Sequence, residues 1–123
     1  RILVMDDEDF IRELASAMLR KMGYDVVLAK DGQQAVALYQ AAFEAGESFD
    51  AVILDLTVPG GMGGKETIGM LSEIDTNVRA IVSSGYSNDP VMANHAKYGF
   101  SGAVKKPYLA QEMSRVLNTV IQE

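Results

Sequence analysis

The sequence predicts an α/β domain of five βα units: a three-layer (βα)5 arrangement with a five-stranded parallel sheet and helices on both of its faces. Three observations carry this. Short apolar runs of strand length alternate with stretches of three- and four-residue apolar spacing along the whole chain, and the connections between them are short. The third run, residues 51–54, is apolar at every position, as a parallel strand covered on both faces has to be. Strands alternating with helices in this way form parallel sheets with right-handed crossovers.

Ile2–Met5 is the first strand, and it runs straight into Asp6, Asp7, Glu8 and Asp9, which suit a helix N-terminus because the macrodipole favours anions there. In the helix that follows, Ile11, Leu14, Met18, Leu19 and Met22 recur at helical spacing, and Gly23 stands where a left-handed cap ends it. Val26–Ala29 is the second strand. Ala35, Val36, Tyr39, Ala42 and Phe43 mark a second helix that ends near Gly46. After the third strand, Gly60, Gly61, Gly63 and Gly64 form a loop, and Ile68, Leu71 and Ile74 a short third helix. Residues 80–82 form the fourth strand. Asp89 and Pro90 make an N-cap and first-position pair for a fourth helix that continues to Gly99, with His95 at its middle as an ordinary surface histidine. Residues 102–104 supply the fifth strand, and Met113, Val116, Leu117, Val120 and Ile121 close the chain with an amphipathic stripe.

Composition removes several classes of function. The chain has 123 residues, 17 acidic and 11 basic, for a net charge of -6, and is the size of one domain. Such a balance repels a phosphate backbone, so nucleic acid is not expected as a direct partner. There is no cysteine and only one histidine, which excludes disulfides, thiolate zinc sites and two-histidine metal sites; a metal here must be held by oxygen. No apolar run approaches the roughly 18 residues of a membrane span and no signal pattern opens the chain, so a cytoplasmic domain with no direct membrane insertion is expected. Arg1 in place of Met, with a strand beginning at Ile2, reads as a single domain over residues 1–123 cut from a longer chain.

Open α/β sheets bind ligands beyond the carboxyl ends of their strands. At those ends the chain carries Asp6 and Asp7, then Asp55, then Ser83 and Ser84, then Lys105 and Lys106. Carboxylates gathered on one edge repel one another unless a cation joins them, and Mg²⁺ takes oxygen ligands of this kind. A carboxylate nucleophile, Mg²⁺, a hydroxyl and a lysine are equipped for phosphoryl transfer to Asp. Alone, Asp6 to Asp9 reads as a charged helix start, Asp55 as a strand-end cap and Lys106 as a solvated lysine; their joint placement favours a site. The glycine-rich stretch fails as a nucleotide-binding P-loop, because Pro59 and Glu66 stand where Gly and Ser or Thr are needed. Its glycines are expected to let the backbone turn close to the site, with phosphoryl oxygens accepting from N–H groups of the loop.

The pattern of Asp6 and Asp7, Asp55 within Leu54-Asp55-Leu56-Thr57-Val58-Pro59, Ser84-Gly85 and Lys106-Pro107 resembles a receiver domain of bacterial two-component signalling. The resemblance implies a flavodoxin-like fold of strand order 2-1-3-4-5. It implies Asp55 as phosphoacceptor, Asp7 as direct Mg²⁺ ligand, Asp6 as a ligand through water and the Thr57 carbonyl as a further ligand, giving a metal set of Asp6, Asp7, Asp55 and Thr57. Lys106 would contact the acceptor and then a phosphoryl oxygen, Ser84 would be the switch hydroxyl, preferred over Ser83 because small Gly85 follows it, and the Lys106–Pro107 bond would be cis. Tyr86 reads as a surface aromatic or a shield over the acylphosphate.

The implied reaction is Mg²⁺-dependent transfer from a phosphohistidine, on a histidine kinase or histidine phosphotransfer domain, to Asp55; the domain would be a monomer that assists its own phosphorylation and dephosphorylation. Residues 57–64 resemble the loop of receivers joined to hybrid sensor histidine kinases. A stand-alone response regulator, or a phosphorylation-independent binding module on the same fold, are the alternatives. A haloacid-dehalogenase-like phosphatase would need a second Asp where the chain has Thr57. Ala103 departs from the family's usual aromatic three residues before the lysine, so less structural change is expected to spread from Ser84.

Overall fold

The structure, a computed structural model, describes residues 1–86 and 88–122. The elements are β1 (Ile2–Met5), α1 (Asp9–Lys21), β2 (Val26–Ala29), α2 (Gly32–Glu44), β3 (Ala51–Asp55), α3 (Gly64–Ile74), β4 (Ala80–Ser84), α4 (Pro90–Ala93), a 3-10 turn (His95–Tyr98), β5 (Gly102–Lys105) and α5 (Ala110–Gln122). The five strands form one sheet in the order β2-β1-β3-β4-β5, every pair parallel, as expected. Among the described residues no helix is long and apolar enough to cross a membrane.

Successive side chains of a strand point to opposite faces, so each strand feeds two apolar layers. Leu3, Met5, Val52, Leu54 and Val82 pack with Ala35 and Tyr39 of α2, Ile68 and Leu71 of α3, and Val91 of α4. Ile2, Val4, Ile53, Ile81 and Val104 pack with Ala15 and Leu19 of α1 and with Met113, Val116, Leu117 and Val120 of α5. This is why β1 and β3 carry no polar alternation. A fully buried Leu, Ile or Val contributes about 1.5–3 kcal/mol, and both layers are filled with them.

The register sets the functional edge. Asp55 lies opposite Ser83, and Ser84 opposite Lys105. β3, β4 and β5 each run further than their apolar residues, through Asp55, Ser84 and Lys105. Polar residues expected just after these strands are thus held inside the hydrogen-bonded ladder.

The fourth helix does not reach Gly99. Asp89 caps it, accepting from the Val91 N–H at 2.9 Å with Pro90 behind, but it stops at Ala93. Asn94 leaves helical geometry at φ -123°, ψ 44°, its side-chain amide donating to the Pro90 carbonyl at 3.3 Å, and the chain resumes as the 3-10 turn that Gly99 closes at φ +94°. Asn competes for backbone groups in this manner, and Val91 is the one fully buried side chain of this stretch, too little to hold a continuous helix.

The start of α2 presses on the loop before α3. The Gly32 N–H donates to the Met62 carbonyl at 2.8 Å. A Cβ on Gly32 would stand 2.1 Å from Thr67 Oγ1 and 2.7 Å from the Met62 carbonyl oxygen. Alanine would gain about 1 kcal/mol of helix propensity, but backbone at 2.7 Å cannot yield cheaply. Gly32→Ala is therefore expected to destabilise the domain by about 1–3 kcal/mol in urea unfolding; an unchanged midpoint would show that the contact is not tight.

Candidate functional site

The site begins with two buried carboxylates. Asp6 follows β1 with no exposed surface, its N–H continuing the ladder to the Ala29 carbonyl at 3.0 Å. Its Oδ1 accepts the Glu8 N–H at 2.9 Å, and Arg12 donates to its carbonyl at 2.7 Å. Asp55, the last residue of β3, is 3% exposed. Between them lies Lys106, whose Nζ is 3.0 Å from Asp6 Oδ2 and 3.2 Å from Asp55 Oδ1. The Lys106 N–H donates to the Ser84 carbonyl at 2.8 Å, carrying β5 pairing one residue past the strand. The bond to Pro107 is cis.

One ammonium does not neutralise two buried acids. Burial raises the Asp55 carboxyl and the charge of Asp6 raises it further; Lys106 opposes both, and the result is pushed up to about 7. Burial alone would lower the Lys106 ammonium. Its bond to Asp6 and the charges of Asp55 and Asp6 outweigh that and hold it above its ordinary value.

A cleft of about 560 Å³ opens above this pair, lined among others by Asp7, Glu8, Asp55, Thr57, Ser84 and Lys106. Asp6 lies beneath it. The two serines separate cleanly: Ser84 Oγ accepts the Tyr86 N–H at 3.0 Å on the cleft wall, whereas Ser83 is buried and bonded to the Tyr108 hydroxyl at 2.7 Å. Tyr86 stands on the rim, 73% exposed. His95 lies outside the cleft, half-buried in the 3-10 turn.

Asp6, Asp7 and Glu8 each offer a carboxylate oxygen, all within 4.8 Å of one another. Such an all-oxygen set beside an under-neutralised Asp55 fits a hard cation such as Mg²⁺. Glu8 was read in the sequence only as part of a helix start. α1 begins one residue later, at Asp9, and Glu8 remains extended at φ -93°, ψ 121° over the cleft. Arg12 and Tyr108 carried no signal of a role in the sequence.

The loop glycines bring the backbone close to the end of β3, as expected. No residue from Gly60 to Gly64 lines the cleft. The Gly61 N–H is used by the Val58 carbonyl at 3.1 Å and the Gly64 N–H by the Leu56 carbonyl at 3.3 Å. A Cβ on Gly64 would meet the Asp55 carbonyl oxygen at 2.9 Å, and one on Gly63 the Leu56 oxygen at 2.5 Å. These glycines let the start of α3 press against the end of β3, which fixes the backbone of Asp55.

Residues 2–118 match the response regulator receiver domain family. The chain belongs to that family. This receiver domain is 30% identical over 121 residues to the chemotaxis protein CheY of Thermotoga maritima, covering 98% of this chain and 96% of that protein. It is 30% identical to the sporulation initiation phosphotransferase F of Bacillus subtilis, covering 92% and 86%. The receiver domain of the sensor histidine kinase PA1611 from Pseudomonas aeruginosa PAO1, solved with a magnesium ion coordinated in its active-site cleft, superposes with a TM-score of 0.85 at 25% identity, covering 99% of this chain and 97% of that one. The flavodoxin-like order read from the resemblance is thus the order of this receiver domain, whose place is in two-component signalling.

Because the folded state holds the Asp55 proton up to about 7 against 3.8 ordinarily, the metal-free fold binds more protons than the unfolded chain between those values, and its stability falls as pH rises through them. In EDTA at pH 8, Asp55→Asn is expected to stabilise the receiver by roughly 1–3 kcal/mol and to flatten that slope. Urea unfolding at pH 4.5 and pH 8 measures both; a variant no more stable than wild type at pH 8 would contradict the electrostatic account.

Proposed function

We propose that this receiver takes a phosphoryl group from a phosphohistidine onto Asp55, in a reaction that needs Mg²⁺. The observation that supports it most is the single ammonium shared by Asp6 and Asp55 at the floor of an acidic cleft. The ion would be held by Asp6, Asp7 and Asp55 with the Thr57 carbonyl, and Glu8 stands within the same acidic group. When bound, it supplies positive charge that offsets the carboxylates and the incoming phosphoryl oxygens.

The chain's own groups account for the remainder. An oxygen of the Asp55 carboxylate attacks phosphorus in line with the departing imidazole; a P–O bond forms, the N–P bond breaks, and its electron pair returns to the histidine nitrogen. Lys106 already touches Asp55 Oδ1 and follows negative charge onto a phosphoryl oxygen. Ser84 accepts from Tyr86 with a lone pair, which leaves its proton to donate to a second phosphoryl oxygen. Tyr86, exposed on the rim, limits the approach of hydrolytic water.

The donor is a histidine kinase or a histidine phosphotransfer domain. The parent chain is proposed to be a hybrid sensor histidine kinase, supported by the glycine-rich loop of residues 57–64 and by the likeness to a sensor-kinase receiver. A stand-alone regulator is the second reading, favoured by relatives whose length the chain nearly fills.

Acetyl phosphate with Mg²⁺ should label Asp55 and no other residue by mass spectrometry. Asp55→Asn and excess EDTA should each abolish labelling, and label retained in either refutes the assignment. Independently, Mg²⁺ at ten times its Kd should stabilise the wild type by about 1.4 kcal/mol, read as a rise in Tm; a Tm indifferent to millimolar Mg²⁺ removes the metal from this reading.

A further inference from the structure

Beneath the cleft lies a buried polar pair that the reaction above does not use. Ser83 has no exposed surface and Tyr108 is 4% exposed, and their hydroxyls share a hydrogen bond of 2.7 Å. The pair sits among apolar side chains of the α1 and α5 layer, where Tyr108 contacts the cluster of Ile53, Ile81 and Val104. By strand alternation Ser83 follows Ile81 onto the same sheet face that Asp55 reaches after Ile53, and the two residues are direct partners in the ladder. Burial raises the phenol's pKa and the Ser83 hydrogen bond opposes it; the charges of Asp6 and Asp55 add to the rise, and the phenol stays protonated.

The segment after β5 has few other anchors. Pro107 is exposed and has no N–H, and Leu109 is 64% exposed. From residue 106 to 109, Tyr108 is the one fully buried side chain. A core position at this depth would be filled as well by Phe, which needs no partner; the two hydroxyls satisfy each other and fix where the segment lies on β4.

We propose that Ser83 and Tyr108 are positioning residues for Lys106: their hydrogen bond pins residues 106–109 to the end of β4, so that the ammonium meets Asp55 and the arriving phosphoryl group in the right place. This rests on the phosphoacceptor reading of Asp55. The pair acts on the reaction through Lys106, while Asp6 and Asp7 follow β1 and Asp55 is held at the end of β3 by the backbone ladder, whose hydrogen bonds neither hydroxyl makes.

The test measures initial rates of acetyl-phosphate labelling at saturating Mg²⁺ for Tyr108→Phe, Ser83→Ala and the double variant, each with Lys106 intact and with Lys106→Ala. Mg²⁺ affinity by calorimetry and Tm are measured alongside. With Lys106 present, all three are expected to slow about tenfold, equivalent to about 1.4 kcal/mol in the barrier, with unchanged Mg²⁺ affinity. Each single variant strands one buried hydroxyl and lowers Tm; the double variant strands none and recovers Tm, but not rate. With Lys106→Ala, none of the three should lose further rate. A rate that recovers together with Tm in the double variant, or an equal loss without Lys106, overturns the proposal and makes the pair a packing feature. The double variant keeps the test decisive if a single one fails to fold. A wild type that takes no label would instead remove the phosphoacceptor reading, and this proposal with it.

Discussion

Parallel strands that end together bring their last residues to one edge, and here that edge receives Asp6 from β1 and Asp55 from β3, both buried, with the Lys106 ammonium 3.0 Å from one and 3.2 Å from the other. Burying one ion costs several kcal/mol after relaxation, which is comparable to the whole stability of a small domain. Lys106 offsets part of that cost, and the remainder appears as an Asp55 carboxyl pushed up to about 7. The two apolar layers carry the deficit. The fit to a hard cation and the limit on apo stability are therefore one electrostatic problem, and the other features of the cleft bear on it: Asp7 and Glu8 enlarge the acidic group on the open side, and Arg12 donates to the Asp6 carbonyl.

Most of the fold was legible because its signals are local. Ile2–Met5 and Val26–Ala29 stand in the structure with the bounds that their apolar runs suggest, Gly23 takes the positive φ expected after α1, and α2 ends close to Gly46. Strand order was not local information and came from family resemblance. The fourth helix shows where local signals stop. Its Asp89-Pro90 start formed as read, but continuation depended on tertiary burial, and one buried Val91 against a competing Asn94 side chain was not enough.

The site was legible to the extent that it sits at strand ends. Asp6, Asp7, Asp55, Ser84 and Lys106 all fall where the rule for open sheets puts them, and Ser84 rather than Ser83 faces the cleft. The place of Glu8 beside the cleft was missed because it hangs on a helix starting one residue later, below the resolution of any pattern. The glycines were legible as a close turn at the site but not in detail: only the Leu56 and Asp55 carbonyls beside Gly63 and Gly64 show which backbone they approach. Tyr108 looks in the sequence like any core aromatic.

The joint at Asn94 has a mechanical consequence. A continuous helix of ten residues would be a stiff rod about 15 Å long, able to transmit torque from its capped end to its far end. Pro90–Ala93 is a single turn, and the 3-10 turn beyond it is hinged on Asn94 at one side and on Gly99 at the other. Such a linkage has two places to bend where a continuous helix has none. Ala103, on the neighbouring strand β5, adds no large ring to that flank.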